Sequence, residues 1–516
     1  MRAIRSFVVL MGVFFFVLAL LAPFLTIDVP WAGEVWLFQS IQELSRSFGP
    51  VPTLNGAPFT GPDPLVPVLL STLPFPDLMS LRITGIMLGS LVALGVFIFC
   101  SSLWDLSSGV CSALFTMATW GFIATYGTLN PEALPVSLTV LAFLLFSQIY
   151  LKELNPWWYL LSYVLLCLAA LTGGWVPLAF FLFSVVLFIL LDMSPERLLS
   201  IKAGYGAVLV GGAMLAVYVA YRLVEGPEFA GTLFSADHEQ GFIARAWLWV
   251  KFNLPWLLLA VPAWMYSEGP REAGSWRSLL APKTAYVMGL FVLLLSSRVQ
   301  EGFALLSVPF GGIIVGYWMS RKFLILQSLQ ALRTLTAAGT AAVLAATALS
   351  LVVAGSVMDF SFDLAHGAVI LLFLAFGAVL AWLARKRYTM AIAGVGIAAV
   401  FCLSWYAALV LVPASAEKPA SFARQLSSLT PLLVFEDDLV MRGYAGYGGS
   451  TAVVVGRNMV PVGYQAYLAV TTADLEDLLE DLSSRMRVEP VTSFEAGKTY
   501  ALIKVSPAPP RRGTGG

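Results

Sequence analysis

The chain has 516 residues, 59% hydrophobic and 12% charged, with 30 basic side chains balancing 30 acidic ones. A soluble domain is about 45–50% apolar and about 25% charged, so this composition excludes a disordered chain, a collagen-like chain and a nucleic-acid binder working through bulk positive charge. Two histidines leave little room for a zinc site, and Cys100, Cys111, Cys167 and Cys402 all lie in apolar runs without the look of a disulfide framework.

A membrane-crossing helix needs about 20 mostly apolar residues. By that rule the chain reads as an all-α polytopic membrane protein of about 13 spans. They lie near 6–27, 80–100, 109–126, 131–150, 157–173, 175–191, 203–223, 247–267, 284–297, 302–319, 334–357, 366–384 and 388–412. The first follows Arg2 and Arg5 as a signal peptide would, but it is long and lacks a small-x-small cleavage site, so it reads as a retained anchor. With the N-terminus inside, Lys and Arg concentrate in inside segments (Lys152, Lys202, Arg277 and Lys283 among them), leaving chiefly Arg46, Arg245 and Arg298 outside. An odd number of spans puts the C-terminal part outside. The expectation is a multi-pass protein of the cell's inner (plasma) membrane with a cytoplasmic N-terminus.

Residues 1–412 then form the membrane domain, with a long first outer loop at 28–79 and a second at 225–246. Within the first loop, residues 34–48 carry Leu37, Phe38, Ile41, Leu44 and Phe48 at helical spacing. That predicts a short helix in the headgroup plane, apolar face down. GPVPTLNGAPFTGPDPL follows, and Pro50, Pro52, Pro58, Pro62 and Pro64 make it a stiff wall, to which Asn55 and Asp63 belong. Residues 413–505 read as a small soluble α/β domain outside the membrane. PLLVFEDDLV, TAVVVGRN and TYALIKV suggest strands, and 471–487 suggests a helix capped by Thr471 or Thr472, with Leu475, Leu478, Leu479, Leu482 and Met486 on one face. Residues 506–516 read as a disordered tail.

GEVWLFQSIQEL, PTLNGAPF, GPDPL and LRITG stand in this order in and just after the first loop, and YGTLNPEAL, LTGGW, NLPWLLLAVP and SVPF follow. The chain in this respect resembles the polyprenyl-phosphate-dependent membrane glycosyltransferases of the GT-C class, which include protein O-mannosyltransferases and lipid A aminoarabinose transferases. That family has Asp-Glu, Lys-Pro-Pro and Lys-Gly where this chain has Gly33-Glu34, Pro62-Asp63-Pro64 and Gly173-Gly174, and Glu132 stands where it has its second acid. The resemblance implies a GT-C-like fold. It also implies sugar transfer from a polyprenyl-phosphate donor to a lipid, glycan or protein acceptor at the outer face.

Such a transfer needs a carboxylate to take the acceptor proton and a cation or metal to receive the leaving phosphate. Glu34 and Asp28 are the candidate bases. Arg82, with Arg245 and Arg298, is the candidate phosphate-binding set. Glu132 with Glu34 is the candidate ligand pair for a divalent metal, Mg or Mn. Each also has a plainer role: Glu34 and Glu132 as helix caps, Asp28 as an end-of-span residue, Asp63 as a turn acid, Arg82 snorkelling to headgroups. His238 is a lone loop histidine, and Trp31, Trp36 and Trp175 stand as candidate wall residues of a sugar or prenyl path. Two other classes remain open. One is a catalytically degenerate relative that binds lipid or serves a second membrane subunit. The other is a lipid transporter, which the near absence of mid-span charge disfavours.

Overall fold

Long apolar runs decide most of the elements. The structure, a computed structural model, describes residues 2–27, 34–47, 53–54, 57–58, 65–73, 76–193, 202–225, 241–254, 256–266, 273–295 and 301–322. It also describes scattered positions in 375–406 and the strand segments 432–435, 452–455, 466–471, 486–495 and 499–507. The expected span 334–357, most of 366–384 and of 388–412, and residues 508–516 of the expected tail therefore lie outside the described residues. The helices are α1 (Arg2–Leu21), α2 (Val35–Ser47), α3 (Leu65–Ser71), α4 (Leu78–Leu103), α5 (Leu106–Met117), α6 (Trp120–Gly127), α7 (Ala133–Lys152), α8 (Tyr159–Gly173), α9 (Trp175–Asp192), α10 (Ala203–Glu225), α11 (Phe242–Asn253), α12 (Leu257–Tyr266), α13 (Ala273–Leu295) and α14 (Val308–Tyr317). Among the described residues eight helices are long and apolar enough to cross a membrane, or nine if one bent pair counts as a single span.

The bent pair corrects the span read at 109–126. α5 and α6 meet at 68°. Thr119, in extended conformation, starts α6 anew by accepting the Phe122 N–H on its hydroxyl. A Thr inside an apolar run is invisible to hydropathy, yet it serves as an N-cap. The freed Trp120 N–H donates to the Leu254 carbonyl at 2.9 Å. Leu254 itself marks a second break, which divides the span read at 247–267 into α11 and α12. It precedes Pro255, and a residue before proline avoids the α conformation. A third correction concerns charge inside the membrane helices. Lys283, read as part of an inside segment, lies well within α13, which runs through Pro282. Its ammonium is buried, donates to the Trp264 carbonyl at 3.2 Å and sits 5.2 Å from the centre of the Trp264 ring.

The chain divides into two compact units, Met1–Phe24 with Ile83–Ala407 and Leu25–Arg82 with Ala408–Gly516. In the first, α5 and α14 pack at backbone distance. A Cβ on Gly312 would stand 2.8 Å from the Thr116 nitrogen, and one on Gly316 would stand 2.6 Å from the Ser112 hydroxyl. Small residues four apart let membrane helices approach this closely. Near the ends of α7, α9 and α13, Asp192 receives Arg277 Nε at 2.6 Å and Nη2 at 2.7 Å, and the Tyr150 hydroxyl at 2.9 Å.

In the second unit the amphipathic α2 buries Leu37, Ile41 and Leu44. Protein covers this face: α3 and a small hairpin, β1 (Thr53–Leu54) with β2 (Ala57–Pro58), pack against α2. That corrects the expectation of an apolar face laid into lipid. α3 also shows that the outer loop is not irregular throughout. Strands β3 (Leu432–Phe435), β4 (Ala452–Val455), β5 (Ala466–Thr471), β6 (Met486–Glu495) and β7 (Thr499–Pro507) form a mixed sheet in the order β4-β3-β5-β7-β6. β3 pairs parallel with β4 and β5, and β7 pairs antiparallel with β5 and β6. Leu433, Val434, Leu468, Val470 and Ile503 are buried in it. Thr471, expected to cap a helix, closes β5, and Met486 and Arg487 open β6; residues 472–485 between them lie outside the described residues.

Two predictions follow from the close contacts and caps. Gly316→Ala and Gly312→Ala force backbone apart at the α5–α14 crossing and should each destabilise the protein by about 1–3 kcal/mol, read as a lower melting temperature in detergent. Asp77 accepts the Ser80 N–H at 3.0 Å at the start of α4, and this hydrogen bonding holds its carboxyl below the ordinary 3.8. A lowered folded-state pKa stabilises above 3.8 and loses its effect as pH falls through the folded value. Asp77→Ala should therefore lower the melting temperature at neutral pH and have less effect below pH 3.8.

Candidate active site

The segment between the first two long apolar helices brings two of the sequence candidates together. Glu34 stands immediately before α2, its carbonyl accepting the Phe38 N–H at 2.8 Å. Arg82 lies in the second turn of α4. Their side chains form a bidentate pair: Arg82 Nε donates to Glu34 Oε1 at 3.2 Å and Nη2 donates to Oε2 at 2.7 Å. Both side chains are 1% exposed. Arg82 Nη1 donates to the Ile27 carbonyl. The fork of a guanidinium matches a carboxylate in this way, and the match is both strong and directional. So Arg82 points into the protein at the base of the first loop; it does not snorkel to headgroups.

Lesser bonds hold the frame around the pair. Gln42 Nε2 donates to the Pro76 carbonyl, tying α2 to the approach of α4. The Thr53 hydroxyl donates to Glu43 Oε2 at 2.9 Å, tying the hairpin to α2. Asn55 and Asp63 lie outside the described residues, as do Asp28, Trp31, His238 and Arg298. Trp36 is buried beside Glu34 in sequence, whereas Trp175 is exposed.

Glu132, in the first unit, occupies the N-cap position of α7 without making a side-chain cap bond. Its own N–H is taken by Asn130 Oδ1 at 2.9 Å. The side chain is 7% exposed and lies against Gly302, where an added Cβ would come 3.0 Å from Oε2 and 2.8 Å from the Glu132 Cβ. The absence of a side chain at 302 is what allows the backbone to pass over this carboxylate. No sequence signal links two positions so far apart.

Arg245 is buried in α11. Its Nη1 donates to the Leu294 carbonyl at 2.7 Å and the Leu293 carbonyl at 3.5 Å. These are carbonyls in the last described turn of α13, and a cation is favoured at the C-terminal end of a helix. As for a metal, no group of three or more His, Cys, Asp and Glu side chains among the described residues has the arrangement of a metal site. Glu34 directs both oxygens at Arg82. The described residues do not by themselves make a divalent-metal site.

No family model matches the sequence, and no characterised protein matches it at the sequence level. The fold decides more. ArnT from Cupriavidus metallidurans in the apo state superposes with a TM-score of 0.72 at 15% identity, over 98% of this chain and 98% of that one. The fold is that of ArnT. The same ArnT bound to undecaprenyl phosphate superposes with a TM-score of 0.69 at 14% identity, over 97% and 98% of the two chains. The apo Archaeoglobus fulgidus oligosaccharyltransferase matches at 0.47 and 12% identity, over 97% of this chain and 75% of that one. ArnT and the oligosaccharyltransferase are both GT-C glycosyltransferases. The ArnT fold, together with the long apolar helices, makes this chain a multi-pass membrane protein.

Removing one partner of a buried ion pair leaves the other charge uncompensated, at a cost of about 3–5 kcal/mol. Arg82→Met should therefore destabilise strongly, whereas Glu34→Leu combined with Arg82→Met should recover most of the loss. Thermal unfolding of the two single variants and the double variant in detergent measures this coupling.

Proposed function

We propose that this protein is a membrane glycosyltransferase that moves a sugar from a polyprenyl-phosphate donor to a lipid, glycan or protein acceptor at the outer face of the inner membrane. The observation that carries the reading is the buried Glu34–Arg82 pair in the first outer loop of an ArnT-like fold. That undecaprenyl phosphate is bound in the ArnT structure adds weight to a polyprenyl donor here. Fold alone does not decide activity, so the chemistry has to come from the pair.

In the proposed reaction the bond between the anomeric carbon and the donor phosphate oxygen breaks, and its electrons leave with the phosphate. The acceptor oxygen bonds to the anomeric carbon and loses its proton to a carboxylate. Glu34 is the proposed base, with Asp28 as its neighbour in sequence, and a positioned carboxylate of this kind contributes roughly 10²–10⁴-fold. Arg82 is the proposed cation for the leaving phosphate, since a guanidinium fork fits phosphate as it fits carboxylate, with Arg298 as a further candidate. Arg245 is already engaged at the end of α13 and is proposed only as a secondary contact. Glu132, the candidate metal-side carboxylate, is proposed as a second acid of the reaction, to be tested by its own variant. Residues 413–505 are proposed as an extracytoplasmic domain on the acceptor side.

The pair also favours a second reading. A cation and a carboxylate that satisfy one another serve well as a structural clamp, as in a relative that binds polyprenyl phosphate without transferring sugar. Reconstituting the purified protein with polyprenyl-phosphate-linked sugars, and following release of polyprenyl phosphate by mass spectrometry, separates the two. The transferase reading expects turnover in the wild type and a fall of about 10²-fold or more in Glu34→Gln, with a smaller fall in Glu132→Gln. Binding without turnover would favour the clamp, and full turnover in both variants would sink the site assignment.

A further inference from the structure

Glu34 and the donor phosphate have the same claim on Arg82. The guanidinium presents Nε and Nη2 as one fork, and Glu34 occupies that fork with both of its oxygens, at 3.2 and 2.7 Å. A phosphate monoester or diester oxygen pair would take the same two donors in the same plane. The third nitrogen, Nη1, is held by the Ile27 carbonyl, so the guanidinium is oriented from behind and its fork keeps one direction. The start of α4 is held as well, by the Asp77 cap on Ser80. The carboxylate is at the beginning of α2, directly after the segment 28–33, and reaches Arg82 across 48 positions of sequence.

We propose that Glu34 and the donor phosphate compete for Arg82, so that the phosphate displaces the carboxylate from the fork and Glu34 becomes free to take a proton only when donor is present. This inference rests on the transferase reading and adds an order of events to it. No covalent bond changes in the exchange: two N–H donors pass from carboxylate oxygens to phosphate oxygens, and the carboxylate turns toward the acceptor. Both groups are out of water, so the exchange swaps one buried ion pair for another and leaves no guanidinium unpaired, which is the costly alternative. Without donor, the base stays engaged with Arg82.

The consequence runs against the usual expectation for a base. Removing the charge at 34 should strengthen donor binding, because a neutral amide competes less well for the guanidinium. The test uses the full-length protein in lipid nanodiscs and a polyprenyl monophosphate as probe, with affinity read by native mass spectrometry. Glu34→Gln should bind the probe roughly 10-fold or more tightly than the wild type, in line with coupling energies for close charge pairs, while sugar transfer is lost. Arg82→Lys should bind it more weakly. Equal or weaker binding by a folded Glu34→Gln overturns the competition and leaves the pair a clamp. If Glu34→Gln does not fold, Glu34→Asp carries the test: the shorter carboxylate holds the fork less well and should tighten binding to a lesser degree, and unchanged or weaker binding again overturns the proposal. Failure of every form, wild type included, to bind the probe overturns the polyprenyl-donor reading itself, an outcome distinct from equal binding by wild type and variant.

Discussion

Inside a bilayer there is no water to take a backbone N–H or C=O, so every such group must find its partner within the protein. This requirement governs where the helices of this chain can break. The bend between α5 and α6 exposes the Trp120 N–H, and the Leu254 carbonyl takes it. Leu254 is free to do so because it is the point where α11 has itself stopped. In the last described turn of α13 the buried Arg245 donates to the Leu294 carbonyl. Irregular backbone in this fold is placed where a second irregularity or a cation completes it.

Burial of charge follows the same rule. Lys283 lies within a membrane helix and is answered by a carbonyl and an indole face. Asp192 is answered by Arg277 and Tyr150. Glu34 and Arg82 answer one another. Of these, only the last joins two residues that lie at positions where the chain resembles GT-C glycosyltransferases. An ion pair between two groups that a reaction would need is a different object from an ion pair that only locks helices, even though the geometry of each is similar. What separates them chemically is whether a second anion has reason to enter, and the phosphate of the proposed donor is such an anion.

Much of this was legible in the sequence, and the limits are physical. Apolar length reveals spans, and the starts and ends read for 131–150, 157–173 and 175–191 lie close to Ala133–Lys152, Tyr159–Gly173 and Trp175–Asp192. Hydropathy averages over a window, so it passes over a single capping residue such as Thr119 and starts a span too late after a proline and a lysine, as after Pro282 and Lys283. The helical face of α2 was visible in the spacing of Leu37, Ile41 and Leu44; what covers that face was not, because α3 and the hairpin come later in the chain. Glu34, Arg82 and Glu132 each stood out by residue type and place. Their partners did not, since a pairing across 48 residues, or a glycine such as Gly302 lying over a distant carboxylate, leaves no periodicity to read. In the last part of the chain, the short apolar runs read as strands hold β3, β4 and β7, while the edges of an expected helix fell in β5 and β6.

The pairing of Glu34 with Arg82 also bears on how the protein is made. The ribosome delivers Glu34 well before Arg82, and until the second apolar segment has left the exit tunnel the carboxylate has no counterion. The first loop therefore cannot take its final form as it emerges. The pairing that ties the beginning of this loop to its end waits for a cation that arrives only with the helix that follows it.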